Sequence, residues 1–204
     1  MDVIPAILTN KLDELSSQLE ELGFCEVIQI DFMDGIFVDT KSIIPADLPV
    51  LNGFFEAHLM VEEPEKYFEV LKQKGFKRII IHFESTKDVN KAILKANSLG
   101  FEVCIAFNPR TKPVIVKGAN RYLFLTVNPG RQGQVFLEEV IDKVFLFKKQ
   151  NPSLVIGVDG GVNSENIHLL RGLDFVCVGS FITKSKNMKE QYKKLVGNGS
   201  CKKS

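Results

Sequence analysis

The sequence predicts an α/β domain in which eight parallel strands close into a barrel wrapped by helices. Three observations predict it. Eight short apolar runs recur along the 204 residues. Segments of helical character separate them at a repeat of roughly 25 residues, the pattern of a parallel sheet joined by helical crossovers. Polar residues collect at the C-terminal ends of the runs, where such a barrel carries its chemistry. A doubly wound open sheet is the alternative reading of the same alternation.

The runs, in order, are VIPAIL (3–8), VIQIDF (27–32), FFEAHLM (54–60), RIIIHF (78–83), FEVCIAF (101–107), YLFLTV (122–127), LVIGVDG (154–160) and FVCVGSFI (175–182). Each is rich in Ile, Val or Phe and bounded by polar residues, Gly or Pro, as strands are. Between the first two, Leu12, Leu15, Leu19 and Leu22 recur at helical spacing and Gly23 stops the helix. EEPEKYFEVLKQKG has Pro64 near its start and Gly75 at its end, the asymmetry of a helix. STKDVNKAILKANSLG opens on capping residues and ends in Gly. FLEEVIDKVFLFKKQ and NSENIHLLRGL follow the same scheme. The weakest helices fall near Ile43–Leu48 and Lys112–Lys117. Residues 1–196 are expected to form one (β/α)8 (TIM) barrel, and GNGSCKKS (197–204), polar and rich in Gly and Ser, a flexible C-terminal tail.

Charge adds little. Lys plus Arg number 26 against 25 Asp plus Glu, for a net charge of +1, which gives no sign of a nucleic-acid or membrane partner. Cys25, Cys104, Cys177 and Cys201 form no C-x-x-C pair. Cys104 and Cys177 lie inside apolar runs and read as buried free thiols, which points to a reducing, cytoplasmic setting. The N-terminus lacks the pattern of a signal peptide, and no apolar run approaches the ~20 residues of a membrane span.

The strand ends hold the candidate chemistry. The second run ends in Asp31, with Gln29 two residues earlier on the same face and Met33-Asp34-Gly35 after it. The third holds Glu56 and His58, and the fourth ends in His82 and Glu84. Later runs end in Asn108-Pro109, Asn128-Pro129-Gly130 and Asp159-Gly160-Gly161, and the eighth carries Gly179-Ser180. Taken singly, a strand-end Asp is most often a cap or turn residue, a lone His a bonded core residue and Gly-Gly a tight turn. Asp34 fits the turn reading best. Taken together, two Asp and one His at the same ends of three strands offer ligands for a divalent metal. The glycine-rich turns after the last two strands are where such barrels hold phosphate by backbone N–H groups. The combination points to acid/base chemistry on a small phosphorylated substrate.

Seven segments in order carry a resemblance over nearly the whole chain, to about Ile182. They are PAIL (5–8), IDFMDGIFV (30–38), HLMVEEPEKY (58–67), IHFE (81–84), VNPGRQGQVF (127–136), VDGGVN (158–163) and VGSFI (178–182). With these the chain resembles the ribulose-phosphate 3-epimerases, (β/α)8 barrels of the pentose phosphate pathway. The resemblance implies an isomerase that interconverts D-ribulose 5-phosphate and D-xylulose 5-phosphate through an ene-diolate. It makes Asp31 and Asp159 the two acid/bases, and Asp31, His58 and Asp159 ligands of a divalent metal (zinc, manganese or iron). Met33 and Met60 match methionines around the reacting carbons, and Leu125 stands where a third is usual. Phosphate falls to the loop Gly130, Arg131, Gln132, Gly133, to Gly160 and Gly161, and to Gly179 and Ser180. A homo-oligomer is expected, since relatives form dimers or hexamers.

Four departures cluster on the active-site side. Gln29 stands where the family has its fourth metal ligand, a His, and an amide is a poor ligand for zinc. Ala6 replaces a Ser, Arg131-Gln132 replaces Phe-Gly, and Asp39-Thr40 replaces Pro-Asn. These leave open a related ketose-phosphate epimerase or lyase, for instance on a hexulose phosphate, and a sugar-phosphate-binding barrel without catalysis.

Overall fold

Eight parallel strands pair in chain order and close on one another: β1 (Asp2–Ile7), β2 (Val27–Met33), β3 (Phe54–Met60), β4 (Arg78–His82), β5 (Glu102–Phe107), β6 (Arg121–Leu125), β7 (Val155–Asp159) and β8 (Phe175–Val178), the last bonded to β1. The computed structural model describes residues 1–199. The strands are buried on both faces, as helix-covered parallel strands must be. Closure removes the unpaired edges an open sheet would leave, so the open-sheet alternative is set aside.

The outward faces of the strands pack against the helices in one large apolar layer that includes Phe32, Phe68, Phe76, Phe107 and Tyr122. The barrel interior is a second layer of Ile4, Ala6, Ile80, Cys104, Ala106, Leu123, Leu125, Phe175 and Cys177. Cys104 and Cys177 are buried free thiols and Cys25 is half-buried; Cys201 lies outside the described residues. Near the N-terminal end of the barrel, Glu56 is fully buried and takes a 2.6 Å ion pair from Arg78, which also grips Glu102.

Six α-helices stand among the described residues, not the roughly eight expected. In α1 (Leu12–Glu21), Leu15 faces the barrel while Leu12 is exposed. α2 (Phe68–Gln73) starts late, after a 3-10 turn over Pro64–Lys66. α3 (Val89–Ser98) is capped by Asp88, whose side chain accepts from Lys91 N–H. α4 (Glu139–Gln150) is the longest crossover helix before β7. The two weak candidates are not α-helices: Pro45–Asp47 is a 3-10 turn, and residues 112–117 are irregular. There Tyr122 substitutes for helical bonding, its hydroxyl accepting from Val116 N–H at 3.0 Å. NSENIHLLRGL forms only a 3-10 turn, Ile167–Leu170. The eighth run stops being strand at Val178, and its last residues form the one-turn helix α5 (Ser180–Thr183). Helix α6 (Met188–Gly199) includes the first three residues of the expected tail, and 200–204 lie outside the described residues. No described helix is long and apolar enough to cross a membrane.

Candidate active site

Parallel register brings the polar residues of β2 and β3 to one level. Gln29 lies beside Glu56, Asp31 beside His58 and Met33 beside Met60. Alternation turns Gln29, Asp31 and Met33 to one face of β2. β7 ends at Asp159, three strands away from β2 through the closure of the barrel. Asp31 and Asp159 therefore approach from opposite walls, and His58 stands between them: its Nδ1 lies 3.2 Å from Asp31 Oδ1 and 3.4 Å from Asp159 Oδ2. All three side chains are buried.

Gln29 joins this centre. It is fully buried, and its Nε2 donates to Asp31 Oδ1 and to Asp159 Oδ2, each at 2.8 Å, and lies 3.3 Å from His58 Nδ1. Its Oε1 is buried with no hydrogen-bond partner.

Behind His58 stand two residues that the sequence offered without a role, His82 and Glu84. His58 Nε2 meets His82 Nε2 at 2.9 Å, and His82 Nδ1 lies 3.6 Å from Glu84 Oε2. Glu84 is itself fixed by Asn108 N–H at 2.9 Å and by the Thr111 hydroxyl. A contact of this length between two imidazole nitrogens requires one to donate and the other to accept, which ties the two rings together. The signal was the His-x-Glu spacing at the end of the fourth run.

The electrostatics follow from burial. Desolvation raises the pKa of Asp31 against the pull of His58. For His58, burial pushes the pKa down, but hydrogen bonds and charge from Asp159 and Asp31 outweigh it and hold it near about 10. Burial lowers that of His82. The centre thus concentrates negative charge and demands a positive partner, whether proton or cation.

The donor set fits a divalent cation. Asp31, His58 and Asp159 offer three ligand atoms within 4.8 Å of one another. His58 Nδ1 lies 3.2 and 3.4 Å from the two carboxylates, close enough for one ion to reach all three groups. The amide of Gln29 takes up the fourth direction with its nitrogen inward.

A pocket opens to solvent above the centre. Its walls include Asp31, His58, Asp159, Met33, Met60 and the glycine turns up to Gly179 and Ser180, while Gln29, Glu56, His82, Glu84 and Asn108 do not line it. Met33 and Met60 pack with Val38 beside it. Asp34 lies outside: its carboxylate accepts from Ile36, Phe37 and Glu62 N–H, a turn role. Gly160 (φ +114°) and Gly161 (φ +68°) need glycine, since a Cβ at Gly160 would meet Val127 at 2.4 Å and one at Gly161 the Phe136 backbone at 2.9 Å. Thr126, which the sequence did not flag, steadies this turn by bonding the Asp159 and Gly160 carbonyls at 3.0 and 2.6 Å. Thr40 ties the loop after β6 by a bond from its hydroxyl to the Gly130 carbonyl. Arg131 is exposed at the rim, whereas Gln132 Nε2 is buried without a partner. α5 is a single turn, so phosphate at Gly179-Ser180 would rely on individual amides more than on a helix dipole.

Comparison with known proteins gives the same answer at the level of sequence. The chain is 32% identical to the ribulose-phosphate 3-epimerase of Helicobacter pylori, over 93% of this chain and 94% of that protein. It is 29% identical to the enzyme of that name from Bacillus subtilis, over 96% and 98%. Among solved structures, KGPDC from Streptococcus mutans superposes with a TM-score of 0.69 at 13% identity, over 97% and 96% of the two chains. 3-Hexulose-6-phosphate synthase from Salmonella typhimurium gives 0.67 at 16%, over 97% and 98%. These two share the barrel and, at such identity, nothing more is drawn from them. The model of the ribulose-phosphate 3 epimerase family matches residues 2–183, and the chain belongs to that family.

Proposed function

We propose that this protein interconverts D-ribulose 5-phosphate and D-xylulose 5-phosphate, with Asp31 and Asp159 as the two acid/bases. One observation carries the reading: two buried carboxylates from opposite walls of the barrel converge beneath one pocket with His58 between them. Inversion at a carbon needs one group to take a proton from one face and another to return it on the other. Asp31, on β2, takes the proton at carbon 3 and Asp159, on β7, delivers one from the opposite side; the reverse reaction exchanges the roles.

Asp31, His58 and Asp159 would hold a divalent cation of the zinc, manganese or iron class, which supplies the positive charge that stabilises the ene-diolate oxygens. Met33, Met60 and Leu125 give the reacting carbons an apolar wall that sheds water. The phosphate is received by the Gly130–Gly133 loop, Gly160, Gly161, Gly179 and Ser180. The unpartnered Gln132 Nε2 donates to it from inside the pocket, an amide doing what a backbone N–H would do. The hexulose-phosphate, lyase and non-catalytic readings have no observation of their own to favour them.

The test is deuterium exchange from solvent into both pentulose phosphates, followed by NMR. Wild-type protein exchanges and epimerises at carbon 3. Asp31→Asn, nearly isosteric, is expected to keep the fold and lose at least ~10³-fold in kcat, the upper part of the range for a positioned proton-transfer group. A fully active Asp31→Asn protein would remove Asp31 as a base.

A further inference from the structure

Gln29 is out of balance with its surroundings. Its NH2 supplies two hydrogens to a centre of two carboxylates and an imidazole, while its carbonyl oxygen, equally buried, bonds to nothing. Donation to carboxylates is charge-assisted and favours nitrogen inward. The orphaned oxygen opposes it, since a buried acceptor left unmet keeps its full desolvation penalty. The terminal torsion of glutamine is broad and roughly two-fold, so the amide can turn over in place. With oxygen inward and no cation, it would face two carboxylate oxygens at hydrogen-bond distance and be repelled. With a cation among the four groups, the same orientation gives that oxygen a partner.

We propose that Gln29 makes this centre a reversible site for a hard divalent cation, manganese or magnesium in class, with its amide turning from nitrogen-in to oxygen-in as the ion enters. Zinc is held weakly by comparison. The reasons are chemical. An amide oxygen is a hard donor suited to Mg²⁺ and Mn²⁺, whereas zinc favours imidazole and thiolate, and only His58 supplies either here. Entry also costs the two amide–carboxylate hydrogen bonds, so binding is weaker than in a preformed cage. The inference rests on the epimerase reading only in taking this ion as the one that the reaction uses; binding is measured without substrate.

The experiment uses the metal-stripped full chain, ¹⁵N-labelled. MgCl2 is titrated in while the side-chain amide pair of Gln29 is followed by NMR, assigned by its loss in Gln29→His. Millimolar Mg²⁺ is expected to shift this pair out of its hydrogen-bonded position, and electron paramagnetic resonance to show one Mn²⁺ bound per chain. Zinc affinity, read by competition with a chromophoric chelator, is expected to rise roughly 100-fold in Gln29→His, with Mn²⁺ affinity changed far less. Wild-type protein that binds zinc as tightly as Gln29→His, or an amide pair indifferent to Mg²⁺ and Mn²⁺, would overturn the proposal. The pair is also identified in the wild-type protein by its NOEs to the His58 ring, so the titration stands even where the variant fails to fold. A protein that binds Mn²⁺ and turns Gln29 but does not exchange the carbon-3 proton keeps this inference and overturns the epimerase reading; the converse result does the reverse.

Discussion

At the scale of single residues, burial and pairing decide what each group does. Asp31 and Asp34 stand three positions apart in the chain, yet one is buried against His58 while the other caps a turn with three backbone N–H groups. His82 is fully buried, does not line the pocket and meets His58 at 2.9 Å. Burial lowers its pKa against the pull of Glu84. An unfolded histidine takes up a proton near ~6.5, so below that pH the unfolded chain binds a proton the folded chain refuses. Stability from this residue is therefore present above pH ~6.5 and is lost as pH falls below it. Between pH 7 and 5 the urea unfolding midpoint of the metal-stripped protein should change more unfavourably than that of His82→Gln, since the raised pKa values of Asp31 and His58 act the other way in both proteins. Parallel changes in the two proteins would mean that His82 is not the group responsible.

At the scale of elements, the barrel works because neighbouring strands make room for one another. Gly157 of β7 lies beside Phe175 of β8, and a Cβ there would meet three ring atoms at 2.6 Å. The ring is held on its other side by Arg121, whose guanidinium carbon lies 3.6 Å from the ring centroid. Gly157→Ala should cost about 1–3 kcal/mol, the range for an overpacked core, and adding Phe175→Leu should restore most of it. Denaturant melts of the single and double variants decide this, and an undiminished single variant would mean the ring can swing clear. The strand-to-helix switch at Gly179 belongs to the same scale. Apolar FVCV and SFIT read alike in sequence, but only the first four residues find a hydrogen-bonding neighbour in β1 and β7.

At the scale of the molecule, the two ends of the barrel divide the work. The C-terminal end gathers the acids, the imidazole and the glycine turns. The N-terminal end carries the Glu56–Arg78–Glu102 network, beneath which no reacting group lies among the described residues. Removing one partner of a buried pair leaves an uncompensated charge. Arg78→Met should therefore destabilise the protein by roughly 3 kcal/mol while turnover stays within a few-fold. The second change Glu56→Leu should recover much of the loss. A large fall in kcat from Arg78→Met in a folded protein would show that the two ends are coupled.

The sequence by itself marked the eight strands, because short apolar runs separated by helical segments are buried well as parallel strands under helices; the pairing of β8 with β1 decided for the closed barrel over the open sheet. It also marked Asp31, His58, Asp159 and the glycines after the last strands, because their spacing from strand ends is a one-dimensional property. Only the tertiary structure decided how far the crossovers are helical, since Tyr122 and the short turns satisfy backbone groups that a helix would otherwise claim. It alone decided that Gln29 bridges β2 to β7 through Asp159, 130 residues away in the chain. It alone brought His82 against His58. Contacts of that kind depend on barrel closure and on which atom of an amide or imidazole faces its neighbour, and neither is written in local spacing.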